Sequence, residues 1–508
     1  MSRLRAPGGA HRGELGLRQT GVSISGARTN RSRIVAPTIF GLVFASIALA
    51  QDYTHPKAME LAGPAFDRPD PASLQLQLDN GLVAYVAEDH RAPLATLTVY
   101  LGAGTGHGAD GAAPGLAAAL RGGPADLPAG KFRARLSELL ADYSVAQHHE
   151  ETVVQLDVPV EHAWEAASLV GATLTNPRFA NTGTADGAGD AATEGGIDYG
   201  YTLDRAVTRF HDTLFAGHPF ARSVPSADHD AIRTLLTGQL RAGNIAVAFA
   251  GDFSAGRARR ELAGAFGDLP LGAPTDEQKG FAMPARPAGR RLLLEDVDRD
   301  QGWVVIGHEL PVVPPEDEAA LQVMDYILGA YHLDSRLYRN SRELRGLTND
   351  SSAFLEAGVH GPGAYSFRTY GRPAAVRLLV DITFRELLRM RETLPTDDEL
   401  FVARGALVDG LYARRYANGT AAARAYAREW LRHGGHERSA TYPERIRAVT
   451  AEDVRAAAAK YLHPGRAIIT VLGPLGRIAD APAMEGEAQL ESWAAPSSTV
   501  QIKGKKRQ

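Results

Sequence analysis

Two apolar runs of one kind punctuate this chain. "GNIAVAFAGDF" (243–253) and "GRAIITVLGP" (465–474) each read as a short buried strand ending in a turn. Each closes a stretch of about 200 residues, and a Pro/Gly-rich connector, "LPLGAPTDEQKGFAMPARPAG" (269–289), separates the stretches. In the first, "LDNGLVAYVAED" (78–89) sets a turn signal, Asp79-Asn80-Gly81, before an apolar run. "APLATLTVYLGAG" (92–104) follows with partial alternation, and the two are expected to pair. "ETVVQLDVPV" (151–160) reads as a further strand. In the second stretch "RLLLEDV", "GWVVIGHEL" and "GAYSFRTY" (363–370) read as strands. "PEDEAALQVMDYILG" (315–329) is a helix, with Ala320, Val323, Met324, Ile327 and Leu328 on one face and acids in its first turn. Thr396 and Glu399 form a capping box, and "VTAEDVRAAAAKYL" (449–462) is another helix.

The order strand, strand, helix, strand, helices, strand thus occurs twice. At 508 residues the chain is too long for one ordinary core. The expected fold is α+β: two homologous α/β-sandwich domains, each a mixed, largely antiparallel sheet with helices packed on it. The expected boundaries are a leader (1–50), a linker (51–72), a first domain (73–270), a linker (271–290), a second domain (291–475) and a solvated polar tail (476–508) ending in "KGKKRQ".

The leader carries Arg28, Arg31 and Arg33, then "IVAPTIFGLVFASIALA" (34–50), which ends in a small-x-small pattern. That is the layout of a secretory signal peptide. An uncleaved anchor, an organelle transit peptide and a misassigned start are the alternatives. The apolar run has 17 residues and a proline inside, so no stable membrane span is expected after cleavage, and the expected location is the periplasm. A formal net charge of −4 argues against a general nucleic-acid binder. With no cysteine, disulfides, thiolate metal sites and cysteine nucleophiles are excluded.

Candidate chemistry is sparse. There is no Gly-x-Ser-x-Gly elbow, and Ser223 and Ser226 lack an activating pattern. "LGAGTGHGADG" lacks the strand-to-helix setting of a dinucleotide site, and no Gly-Lys-Ser/Thr loop occurs. "QHHEET" (147–152) is the best polar cluster. Placed on a strand, His148 and Glu150 share one face and His149 and Glu151 the other, so each face offers two ligands at most and reads as an exposed polar face. "HGGHE" (433–437) has helix-like spacing, but its glycines favour a turn.

Several phrases in sequence, "LDNGLVAYVAED", "PGLA", "NPRF" (176–179), "LFAGHPFARSVPSADHDAI" (214–232), "YILGAYHLDSRLYRNSRELRGLT" (326–348) and "IRAVTAEDVRAAAAKYLHPGRAIITVLG" (446–473), resemble the insulinase/pitrilysin superfamily of zinc peptidases, which includes mitochondrial processing peptidase. The likeness is to its shorter bacterial branch and spans about residues 74–475. It implies two homologous domains forming one half of a clam shell. It also implies a His-x-x-Glu-His helix motif after "GLA": two histidines on one helix face reach one zinc, and the glutamate polarises its water.

Here "PGLAAALRGG" (114–123) puts Ala118 at the first histidine position, Arg121 at the glutamate position and Gly122 at the second histidine position. A methyl and a hydrogen do not ligate, and a guanidinium neither accepts a proton nor tolerates a dication nearby. The third ligand is expected after "NPRF", where "ANTGTADGAGDAATEGGIDYG" (180–200) holds six glycines, reads as a loop and offers only Glu194. In the second half the resemblance implies an Arg and a Tyr, seven residues apart, that hold peptide. Arg342 matches, while Asn349 stands for the tyrosine.

The expected protein is a catalytically inactive homologue without its own cofactor. Its expected partners are a homologous zinc-bearing peptidase subunit and a peptide. A scaffolding subunit without peptide contact is the alternative, and a peptidase with a relocated metal site a more distant one.

Overall fold

The computed structural model describes residues 66–108, 112–178, 199–221, 229–273, 281–285, 288–330, 333–482 and 498–502. Their strands form two six-stranded sheets. The first takes β1 (Gln75–Gln77), β2 (Val83–Glu88), β3 (Leu94–Leu101), β4 (Asp142–Gln147), β5 (Thr152–Pro159) and β6 (Ile245–Gly251), in the order β1-β2-β6-β3-β5-β4. The second takes β7 (Arg291–Asp296), β8 (Gly302–Leu310), β9 (Ser351–Glu356), β10 (Gly363–Gly371), β11 (Ile468–Gly473) and β12 (Ser498–Ile502), in the order β12-β7-β11-β8-β10-β9.

The directions repeat as well as the order. β2 pairs with β6 in parallel, as β7 does with β11. The next three pairings in each sheet are antiparallel. Only the outermost strand differs: β1 runs antiparallel to β2, whereas β12 runs parallel to β7. The expected α+β architecture of two mixed, largely antiparallel sheets is therefore present.

Two expectations are corrected. β2 and β3 do not pair, because β6 inserts between them. The physical reason lies in β6 itself: all seven of its residues are buried, so it needs a neighbour on both edges and cover on both faces. The stretch after 475 is not solvated throughout either. Leu475–Ala479 is helical, with Ile478 buried, and β12 adds a strand to the second sheet.

The helices α1 (Ala112–Gly122), α2 (Tyr199–Leu214) and α3 (His229–Gln239) lie in the first half. The second half holds α4 (Pro315–Asp325), α5 (Asp397–Gly405), α6 (Gly419–His433) and α7 (Ala451–Tyr461). The α5 capping box forms as expected: Glu399 N donates to the Thr396 hydroxyl at 3.2 Å, and Thr396 N donates to the Glu399 carboxylate at 2.8 Å.

Each half lends a helix to the other. Along β6 the side chains alternate, and Ala246, Ala248 and Ala250 share one face. That small-residue face, with Val83, Tyr85 and Ala87, joins the core that holds Ala422, Ala423, Tyr426 and Ala427 of α6. Small residues on both sides let helix and sheet approach closely; a Cβ on Gly419 would lie 2.9 Å from the Ala87 methyl. Val247 and Phe249, on the opposite face, pack with Leu116 and Leu120 of α1. In return α2 lays Ala206, Val207, Phe210 and Leu214 among Leu293, Val305, Ile468 and Leu472 of the second sheet. Gly307 makes room for this, since a Cβ there would meet the Phe210 ring at 2.6 Å. The described residues accordingly fall within one compact unit.

Candidate functional site

The motif position lies on α1, which the sequence still builds as a helix. Leu116, Ala117 and Leu120 are buried, and Gly115 lets Ile232 of α3 come so close that a Cβ would sit 2.2 Å from it. The helix stops at Gly122, and Gly123 turns the chain at φ +80°. On this frame Ala118 and Gly122 are half-buried and Arg121 is exposed.

Strand β4 runs beside α1, and side chains tie the two together. The Tyr143 hydroxyl donates to Leu120 O at 2.8 Å, Arg121 Nη2 donates to Val145 O at 3.1 Å, and Gln147 Nε2 donates to Ala113 O at 2.9 Å. Among the described residues β4 is an edge of the first sheet, paired with β5 alone. Sequence alone offers "ATLTVYLGAG" as a candidate peptide-binding edge, but it forms β3, which is central, between β6 and β5.

The side chains at the motif positions do not fit a divalent cation: they present a methyl, a guanidinium and a hydrogen. Among the described residues no group of three or more His, Asp or Glu is placed to hold a metal ion. Glu194 lies outside the described residues.

The polar cluster "QHHEET" is not a strand face. β4 ends at Gln147 and β5 begins at Thr152, so residues 148–151 form the turn of that hairpin. Nor is the turn exposed throughout: His148 is, but Glu150 and Glu151 are buried, held by the other half. Glu150 accepts backbone N–H bonds from Val359 at 2.8 Å, His360 at 2.8 Å and Gly361 at 2.7 Å. Glu151 accepts from Arg428 Nε at 2.8 Å. His149 stacks on Phe220 with ring centroids 4.5 Å apart. Close by, His211 Nε2 lies 3.1 Å from the Glu356 carboxylate. Burial alone would raise the Glu356 carboxyl, but the bond and charge of His211, with the charge of Arg368, outweigh it and bring it down to about 2. The cluster is a tie between halves, which local pattern does not reveal because the partners lie more than 200 residues away.

"HGGHE" forms the end of α6 and the turn after it. Gly434 takes φ +70°, and His436 bridges the Tyr85 hydroxyl (2.6 Å) and the Glu429 carboxylate (3.2 Å).

In the second half Arg342 and Asn349 come together. The guanidinium donates to Asn349 O at 3.1 Å and to the Tyr338 hydroxyl, and it lies over the Tyr338 ring, 5.0 Å from its centroid. Asn349 takes part through its backbone carbonyl in this bond. Both residues are exposed.

This geometry defines a class: a two-domain, peptidase-like chain whose would-be metal helix bears no ligand. Residues 226–407 match the family described as "Peptidase M16 inactive domain". Among solved structures, the fold is similar to the peptidase M16 inactive domain from Pseudomonas fluorescens (TM-score 0.64, 20% identity, covering 79% of this chain and 98% of that one). It is also similar to a protease from Helicobacter pylori (0.60, 15%, 80% and 100%). A chain of complex III2 from Candida albicans, with Inz-5 bound, is comparable (0.58, 15%, 80% and 97%). At these identities the likeness is one of fold. No curated protein matches. The family match thus places residues 226–407 in the M16 peptidase inactive domain, and no His-x-x-Glu-His motif occurs in the sequence.

Proposed function

We propose that this chain is the non-catalytic, peptide-binding partner subunit of an exported heteromeric peptidase, with zinc held by a homologous subunit. The observation that carries the reading is α1 with its flanking strand. Ala118, Arg121 and Gly122 offer neither ligand nor base, yet the helix remains beside the sheet edge β4. An edge strand presents unpaired N–H and C=O groups, to which an extended peptide adds with little side-chain preference. The basic and apolar leader supports export.

A scaffolding role without peptide contact is the second reading. It is favoured by Arg342, whose guanidinium is engaged within its own segment.

The test measures zinc content and peptide hydrolysis for the chain alone and mixed with a zinc-bearing homologue. The expected result is no stoichiometric zinc and no turnover alone, with chelator-sensitive turnover raised by the mixture. Chelator-sensitive hydrolysis by the chain alone overturns the proposal. In the mixed pair, unchanged hydrolysis on Arg342→Ala removes that residue's role and favours the scaffold.

A further inference from the structure

A cleft of about 700 Å³ opens in the second half, between α4 and α6. That volume is in the range of a specific ligand site. Six arginines line it, Arg415, Arg424, Arg428, Arg432, Arg438 and Arg445, against two carboxylates, Glu318 and Glu429. The arrangement follows from the sequence of α6. Arg424, Arg428 and Arg432 recur every four residues, so they form one stripe along the helix. The opposite face, Ala422, Ala423, Tyr426 and Ala427, is committed to the core with the first sheet. The stripe is therefore held in place by packing that does not involve it.

The carboxylates present do not match the charge. Arg438 and Arg445 share Glu318. Arg428 is bonded to Glu151, with Arg432 at 3.9 Å from it. Glu429 is taken by Ser439 and His436. Among the described residues no carboxylate lies within ion-pair distance of Arg415 or Arg424. Arg424 Nη2 donates to Gln155 at 3.1 Å, and Arg415 sits 5.8 Å from the Tyr442 ring centroid. The field has an internal witness at the cleft wall. Burial, then the charges of Arg438 and Arg432, press the His433 imidazole down to about 4. Like charges this close on one helix face destabilise the chain unless an anion joins them.

Part of the remaining wall is apolar and open: Val312 is exposed, and Pro314 and Leu355 are half-buried. A bare inorganic anion leaves that surface unused. A peptide uses both parts, carboxylates on the guanidinium forks and side chains on the apolar wall.

We propose that this cleft binds an acidic peptide segment, with its carboxylates on Arg415 and Arg424 and its apolar side chains against Val312, Pro314 and Leu355. The proposal rests on the peptide-binding reading above for the nature of the ligand, and it adds a second place and a charge preference.

The test uses the full chain and fluorescein-labelled decapeptides that differ only in carrying Glu, Gln or Lys at four positions, each with a free or an amidated C-terminus. Binding is read by fluorescence anisotropy at low and high salt. We expect the Glu peptide to bind at least tenfold tighter than the Gln peptide, with salt eroding the difference. A further gain from the free C-terminus assigns one guanidinium to a chain end; no gain assigns both to side chains. The Arg415→Glu/Arg424→Glu pair should abolish the preference with a thermal midpoint no lower than the parent's, and Arg424→Lys should retain part of it. Ser144→Pro, on β4, should leave the preference intact.

Equal affinity for all three peptides overturns the proposal, as does a preference that survives the double reversal. Peptides that bind regardless of charge, and are lost only in Ser144→Pro, overturn the cleft and leave the edge-strand reading standing. No binding by any peptide overturns both. Phosphatidylglycerol vesicles bound in place of peptides, and released by the double reversal, overturn the acidic segment in favour of a lipid surface.

Discussion

The two halves of the molecule share a strand order but part company at one place in the repeat. In the second half, between Val376–Glu392 and α6, the chain forms α5 with a complete capping box and a buried inner face at Leu400 and Ala403. The corresponding stretch of the first half is "ANTGTADGAGDAATEGGIDYG", six glycines with no apolar period, and residues 179–198 lie outside the described structure. β6 and β11, which hold the same place in their sheets, are buried along their whole length. A duplicated fold must repeat what closes its core. It need not repeat the side chains near a helix end, such as those of Ala118, Arg121 and Gly122. The halves also differ inside. On the Ala246, Ala248 and Ala250 face, the first sheet meets its borrowed helix through methyl groups, whereas the second sheet buries His308 and Glu309 on β8.

The sharpest way to break the comparison is to cut one of the exchanged helices. Phe210 of α2 is fully buried against the second sheet, over Gly307. Phe210→Ala should cost about 3–5 kcal/mol. If the halves interlock as one unit, urea unfolding of the variant stays a single transition with a lower midpoint. Two separated transitions, with only one shifted, show that the halves fold apart.

The buried polar groups of the second half offer a smaller effect with a definite sign. His463 N donates to His308 Nε2 at 3.3 Å, so the proton of the neutral ring sits on Nδ1 and is donated to Glu309 O at 2.9 Å. Burial, reinforced by the charge of Arg466, presses this imidazole down to about 4. The unfolded chain takes up the proton first, so this contribution is whole above about pH 6.5 and is lost as pH falls toward 4. Asp325, on α4, acts the other way. Burial lifts its carboxyl to about 7, so its contribution is present at low pH and lost as pH rises from about 4 through 7. The two partly cancel in the wild type. His308→Gln removes the His308 part and leaves the Asp325 part in place. Between pH 4 and 7 the wild type should gain on the order of 3 kcal/mol relative to the variant, read by urea unfolding at each pH. A constant difference across that range removes His308 as the source.

How much of this was legible beforehand depended on whether a residue's surroundings are local. The apolar runs of β2, β3, β5, β6, β7, β8, β10 and β11 announced themselves, because strands buried on both sides leave little room for polar residues. The edge strands β4, "DYSVAQ", and β9, "SSAFLE", did not, since an edge tolerates polar side chains. That β3 is central depends on which strand inserts beside it, and nothing in its own eight residues records that. The capping box was readable because both partners lie within one turn. Glu150 was not, because its three donors come from the other half. Arg424, Arg428 and Arg432 stand four residues apart, a spacing the sequence reading passes over. Only the placement of α6 turns that spacing into one wall of a cleft.

The smallest expected effect concerns the residue at the would-be base position. Arg121 is exposed, and its one bond within the fold, to Val145 O, fastens α1 to β4. Water replaces such a donor easily, so Arg121→Ala should change stability by no more than about 0.5 kcal/mol. It should also leave zinc affinity unchanged, because the ligand positions flanking it hold a methyl and a hydrogen. A shift of several kcal/mol would show that Arg121 is a strut of the first half. The guanidinium would then stand there for packing rather than as a vacancy left by lost chemistry, and the two halves would differ less than their motif positions suggest.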